Sequence, residues 1–105
     1  MTPAEILQEA VDAYQSAALK RFEKDGRVNR GTGGHHLLVL DGRSPVAKLA
    51  LASGHGCHSN PGIIFLGRSE VPSQHGEVWN EAGEAACRVF KKHGVRVIKS
   101  YAWRD

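Results

Sequence analysis

Apolar residues recur at helical spacing in the first quarter of the chain. Between Ile6 and Phe22 they return every three or four positions, which is typical of an amphipathic helix with one buried stripe. Thr2 and Glu5 have the spacing of a capping box, and Gly26 is a residue type at which helices commonly end. The pattern therefore predicts a first helix that begins close to the N-terminus, ends by Gly26 and packs against a core.

The middle of the chain contains three apolar runs that are separated by turn signals. Residues 36–40 predict a buried strand, and the Asp41-Gly42 pair that follows is a strong signal for a hairpin turn. Residues 46–52 alternate in the manner of a strand and are expected to return beside the first one. After a loop over residues 54–61, the run 62–67 predicts a third strand, apolar enough to be central.

Helical spacing returns after Ser73, with an apolar stripe that runs from Val78 to Phe90 and a stop at Gly94. Residues 95–103 alternate again and predict a last strand, so the predicted order is α-β-β-β-α-β. Two amphipathic helices can cover one face of such a sheet. We therefore expect an α+β fold, with a four-stranded, mostly antiparallel sheet and two helices packed on one face, in a single compact domain spanning residues 1–105.

Composition narrows the class of protein. A length of 105 residues with 41% hydrophobic residues is sufficient for one ordinary globular core. No apolar run approaches the ~20 residues that span a bilayer, and the first residues lack the basic-then-apolar layout of a signal peptide. We therefore expect a cytoplasmic protein without a membrane partner, in which Cys57 and Cys87 are thiols.

Positive charge is unevenly distributed, although the formal net charge is only +3. The last part of the chain carries six basic residues and no acidic one between Arg88 and Arg104. A second basic region contains Lys20, Arg21, Lys24, Arg27 and Arg30, diluted by Glu23 and Asp25. Such patches suit nucleic acid or an acidic protein surface, although a solvated helix face has the same composition.

Two aromatic residues accompany the C-terminal basic region. Tyr101 and Trp103 are residue types that dominate interface hot spots, but they would equally fill the space beneath the first helix. The candidate binding residues are Arg88, Lys91, Lys92, Arg96, Lys99, Tyr101, Trp103 and Arg104.

The central histidines are candidates for a metal site. In the predicted hairpin, the start of the first strand and the end of the second lie at the same end of the sheet. The candidate ligands there are His36, His55, Cys57 and His58. Zinc suits such a set of nitrogen and sulfur ligands. The alternative is a polar loop whose histidines make local hydrogen bonds.

Two partial resemblances involve these histidines. His35-His36 with Cys57-His58 and Asn60 resembles an HNH nuclease, which implies DNA cleavage by a metal ion and a general-base histidine. That family has a helix after its hairpin, whereas this sequence predicts a strand there. Separately, His75-Gly-Glu77 resembles the first half of the zinc deaminase motif, which implies that His75 is a zinc ligand and Glu77 the general acid/base. The P-C-x-x-C half of that motif does not occur in this sequence.

The pattern as a whole favours a small binding module over an enzyme, and it assigns no catalytic residue. We expect the module to recognise an acidic protein or a nucleic acid. Small chains with few motifs include regulators and inhibitors of phages and mobile elements, and a role of that type is expected here by analogy. The alternative is a metal-dependent hydrolase or nuclease with its His/Cys site at the end of the hairpin. An exposed edge strand could also pair two copies into a homodimer.

Overall fold

The computed structural model describes residues 2–24, 34–59, 62–68 and 76–103. Within these ranges the element order is α1 (Pro3–Lys24), β1 (Gly34–Val39), α2 (Pro45–Ser53), β2 (Gly56–His58), β3 (Ile63–Phe65), α3 (Gly76–Lys92) and β4 (Val97–Trp103). The chain therefore combines helices with a sheet, as the sequence predicts. None of the described helices is both long enough and apolar enough to cross a membrane.

Helix α1 begins at the predicted capping box. The backbone N–H of Thr2 donates to Glu5 Oε1 at 3.1 Å, and the backbone N–H of Glu5 donates to Thr2 Oγ1 at 3.2 Å. These bonds satisfy two donors that a helix start would otherwise leave to solvent. The hydrogen bond from the Thr2 backbone is the main reason that the pKa of Glu5 lies below its ordinary value.

The predicted strand over residues 46–52 is wrong, because this segment is helix α2. Ser44 is its N-cap and accepts a hydrogen bond from the Ala47 backbone N–H at 3.2 Å, and Pro45 occupies the first turn. Gly54 ends the helix in the left-handed region, with a φ of 82°. Alanine, leucine and lysine are strong helix formers, so caps and propensity agree on a helix.

The strands form one four-stranded antiparallel sheet in the order β2-β3-β1-β4. The strand β2 lies inside the segment for which the sequence predicts a loop. Strands β1 and β2 both pair with β3, so that Leu37 and Gly56 flank Phe65 while Val39 and His58 flank Ile63. The expected hairpin between the first two apolar runs is therefore replaced by a helical connection that leads to a strand two positions away.

In the described part of the chain three helices, rather than the expected two, pack on one face of this sheet. The inward-facing residues of the strands form a single core cluster with the apolar sides of all three helices. Phe65 lies within this cluster, and its ring makes edge contacts with Tyr14 at 5.8 Å and Phe90 at 5.2 Å between centroids. A second cluster joins the last turns of α1 to the first turns of α3, with Phe22 and Val78 buried in it.

Candidate functional site

Helices α1 and α3 lie antiparallel to each other. Arg21, near the end of α1, donates to Glu81 in the first half of α3 at 2.8 Å. Lys92, at the end of α3, donates to Glu9 near the start of α1 at 2.6 Å. Both helices carry acidic residues early and basic residues late, as helix dipoles favour. Antiparallel packing therefore places the basic half of each helix beside the acidic half of the other.

At the Glu9 end of this pair, the charges are matched. Glu9 accepts from Lys92 Nζ, and its other carboxylate oxygen lies 3.1 Å from His93 Nε2. The hydrogen bond from Lys92, followed by that from His93, holds the pKa of the Glu9 carboxyl below its ordinary value. We call Glu9, Lys92 and His93 the matched end of the helix pair.

At the opposite end a groove opens between the two helices. It has a volume of about 410 Å³ and is lined by Lys20, Arg21, Lys24, Glu81, Glu84 and Arg88. A smaller depression of about 260 Å³ shares Arg88 with it and continues toward the matched end, over Ala13, Ala85, Val89 and Lys92. We call the larger one the basic groove, because four of its six lining side chains are positively charged.

Both carboxylates of the basic groove already have a basic partner. Glu81 accepts from Arg21, and Glu84 accepts from Lys99 of β4 at 2.8 Å. The hydrogen bond to Glu84 is also the first reason that the pKa of Lys99 is raised. The groove, as lined by the described residues, therefore contains no carboxylate that is not already engaged by a cation.

The remaining three cations of the groove are unmatched within the described part of the chain. Lys20, Lys24 and Arg88 are exposed, and none of them makes an ion pair with a residue in the described ranges. They come from two helices and face one concave surface, so their fields add there. This arrangement can attract and hold an anionic group.

The structure divides the predicted binding residues among several environments. Arg88, Lys91 and Arg96 are exposed, whereas Lys92 and Lys99 bond to carboxylates. Two more predicted contacts, Tyr101 and Trp103, lie in β4, but their side chains are outside the described part, and Arg104 is outside the described residues altogether. The predicted set therefore contributes one residue, Arg88, to the basic groove.

Three groove residues, Lys20, Arg21 and Lys24, belong to a basic region that the sequence marks only weakly as a site. Lys20 and Lys24 are one helical turn apart and belong to the second basic region. Their neighbours Glu23 and Asp25 make that region look electrically mixed. The sequence does not reveal which cation each carboxylate bonds to, because that depends on tertiary packing.

The predicted metal ligands do not lie at one end of a hairpin, because the hairpin itself is absent. Cys57 pairs with Ile64 and His58 with Ile63, so the two residues face opposite sides of the sheet. The ring of His55 bonds locally, with Nδ1 2.9 Å from the Leu66 carbonyl oxygen. His36 lies opposite Ser100 in β4, and its side chain is outside the described part.

Among the side chains that the structure describes, no three His, Cys, Asp or Glu residues come close enough to hold a metal ion. The residues that carry the deaminase and nuclease resemblances are largely outside this part of the chain. His75 and Asn60 lie outside the described residues. Glu77 is in the first turn of α3, with its side chain not described.

No family model, no curated protein and no solved structure is similar to this chain at a significant level.

Proposed function

We propose that this chain is a non-enzymatic binding module that recognises an acidic macromolecular surface through its basic groove. One observation carries the proposal. Lys20, Lys24 and Arg88 converge on a concave surface whose carboxylates are already bonded to other cations. An incoming anion would therefore meet three cations without having to displace an existing ion pair of these three residues.

The spacing of these cations supports joint action. Lys20 and Lys24 are separated by one helical turn, a rise of about 6 Å. Charges interact in solution over about 8 Å at physiological ionic strength. Neighbouring cations on α1 therefore act on the same ligand group, and Arg88 faces them from α3. Binding of this type needs no chemistry at the site, and it suits a regulator or inhibitor that works by covering an acidic surface.

The proposal is tested by chromatography on immobilised heparin, a sulfated polysaccharide. The variant Lys20→Gln/Lys24→Gln removes two charges from the groove. The matched control, Arg43→Gln/Lys48→Gln, removes two exposed charges from the α2 region, outside the groove. We expect the groove variant to elute at clearly lower salt than the control variant, because local charge and not net charge would govern retention.

Equal elution of the two variants would overturn the proposal, since retention would then follow net charge alone. All four substituted residues are exposed, and exposed substitutions of this kind usually change stability little. Circular dichroism of each variant checks that the fold is retained.

A further inference from the structure

We propose that the acidic surface is the phosphate backbone of a duplex nucleic acid, bound without base contacts. This inference rests on the proposed function and specifies its partner. It follows from the charged side chains that line the groove and from the lack of aromatic side chains among its described lining residues. The described lining is charged, and the depression that continues it adds Lys92 and the small apolar side chains of Ala13, Ala85 and Val89.

A single strand is disfavoured because the described residues of the groove provide no surface for stacking. Proteins that bind single strands generally place aromatic rings against successive bases. No aromatic side chain is among the described residues that line the groove. The aromatic rings of α1 and α3 are used in the interior instead: Phe22 and Phe90 are buried, and Tyr14 stacks on Trp79 at 6.3 Å between ring centroids.

An acidic protein is disfavoured for a related reason. Protein interfaces draw most of their binding energy from a few large anchors, chiefly Trp, Tyr and Arg, packed at the centre of the contact. Arg88 is the one such residue among the described lining of the groove, apart from Arg21, which already bonds to Glu81. Contact at this surface is thus mainly electrostatic. A duplex presents regularly repeated phosphates with its bases stacked inside. It can therefore be bound through electrostatic contacts alone, without large side chains packed at the centre of the contact.

The cations also form a track. Lys24 and Lys20 follow one another along α1, and Arg88 faces them from α3. Lys91, one turn further along α3, is exposed and makes no ion pair within the described ranges. A phosphodiester strand that lies between the helices would meet three of these cations in succession, with Lys91 beyond them.

The test is a titration of a short labelled DNA duplex with the full chain at several salt concentrations, followed by fluorescence polarisation. Three phosphate contacts predict a slope of log affinity against log salt of about −2.7. Affinity should then fall by about 40-fold between about 50 and 200 mM salt. Two duplexes of unrelated sequence should bind equally, because base edges are not contacted.

Variants link that slope to the groove. In Lys20→Gln/Lys24→Gln the slope should shrink to about −0.9, since each lost lysine removes about one contact. The control Arg43→Gln/Lys48→Gln should keep the slope of the unmodified chain. A slope that is unchanged by the groove variant, or a clear preference between the two duplex sequences, would overturn the inference.

The same titration with single-stranded DNA and with polyglutamate separates this inference from the proposed function. Binding is groove-dependent if Lys20→Gln/Lys24→Gln weakens it more than the control variant does. If polyglutamate binds in this groove-dependent manner and the duplex does not, the inference fails and the proposed function stands. If single strands bind more tightly than duplex, the inference also fails. If no polyanion binds in a groove-dependent manner, both fail together.

Discussion

The two ends of the α1–α3 pair both contain ion pairs, but within the described ranges they differ in how many cations are left unmatched. At the matched end, Glu9 contacts both Lys92 and His93. At the basic groove, Glu81 and Glu84 are equally near to cations, yet Lys20, Lys24 and Arg88 remain unmatched within the described ranges. The difference does not come from the number of charges alone. It also comes from which cation each carboxylate bonds to.

Glu84 is the decisive carboxylate in this comparison. It precedes Arg88 by four residues, which is the favourable arrangement for an ion pair along one helix. It bonds instead to Lys99, which lies on β4 and outside the groove. Lys99 thus leaves Arg88 without a partner in the described part of the chain, and a residue that does not line the groove helps to set the groove's charge.

Charge reversal in the groove should give the largest effect. Lys20→Glu/Arg88→Glu replaces two attractive groups with two repulsive ones, so affinity for a polyanion such as heparin should fall by more than about tenfold. The thermal midpoint should change little, because neither side chain makes an ion pair within the described ranges. Titration and thermal melting measure the two effects.

The charge-matched control for that reversal is Arg43→Glu/Lys48→Glu, with both substitutions outside the groove. If it weakens binding as much as the groove reversal does, then net charge and not the groove governs affinity. The contrast between the two ends of the helix pair would then have no functional meaning.

Removing Lys99 should produce an intermediate effect. In Lys99→Gln, Glu84 loses its ion pair with Lys99 and is expected to turn toward Arg88, which then contributes less to the groove. The slope of log affinity against log salt should fall in magnitude by about 1, although Lys99 does not line the groove. The control Lys48→Gln removes one charge elsewhere and should leave the slope unchanged. A slope unaffected by Lys99→Gln would contradict the role assigned to Glu84.

The smallest effect should appear at the matched end, in stability at acid pH. The pKa of Glu9 is below its ordinary value of 4.5 because of Lys92 and His93, so the folded state favours the carboxylate. Its stabilising contribution is fully present above about pH 4.5 and is lost as the pH falls through the lower pKa of the folded state. The difference in thermal midpoint between the unmodified chain and Glu9→Gln should therefore narrow on acidification.

The Glu9→Gln substitution itself should leave binding to the groove largely unchanged at neutral pH. Glu9→Gln melts recorded from neutral to acid pH, together with one heparin elution at neutral pH, test both statements. A midpoint difference that stays constant across the acid range would mean that Glu9 gains nothing from Lys92 and His93.

The sequence is informative where its pattern is long. Helices α1 and α3 have apolar stripes of several turns, and the sequence predicts both of them along with the antiparallel sheet. Helix α2 is mistaken for a strand because a short run of alanine and leucine fits both periods. Its ends carry the deciding signal, since Ser44-Pro45 and Gly54 are typical of a helix start and a helix stop.

The site is less predictable, because it depends on contacts between distant parts of the chain. The groove joins Arg21 to Glu81, 60 residues apart in sequence. It also requires Glu84 to form its ion pair with Lys99 and not with Arg88. Local pattern identifies Lys20 and Lys24 as basic, but it does not reveal which charges remain unmatched after folding.

The long separation between the two sides of the groove couples binding to folding. One side comes from α1 and the other from α3, so the groove exists only while those helices are docked. Under the proposed function, a polyanion that bridges them would bind the native chain more tightly than the unfolded one, and it would raise the free energy of unfolding with its concentration. The ligand would therefore hold α1 and α3 together reversibly, and its release would accompany their separation.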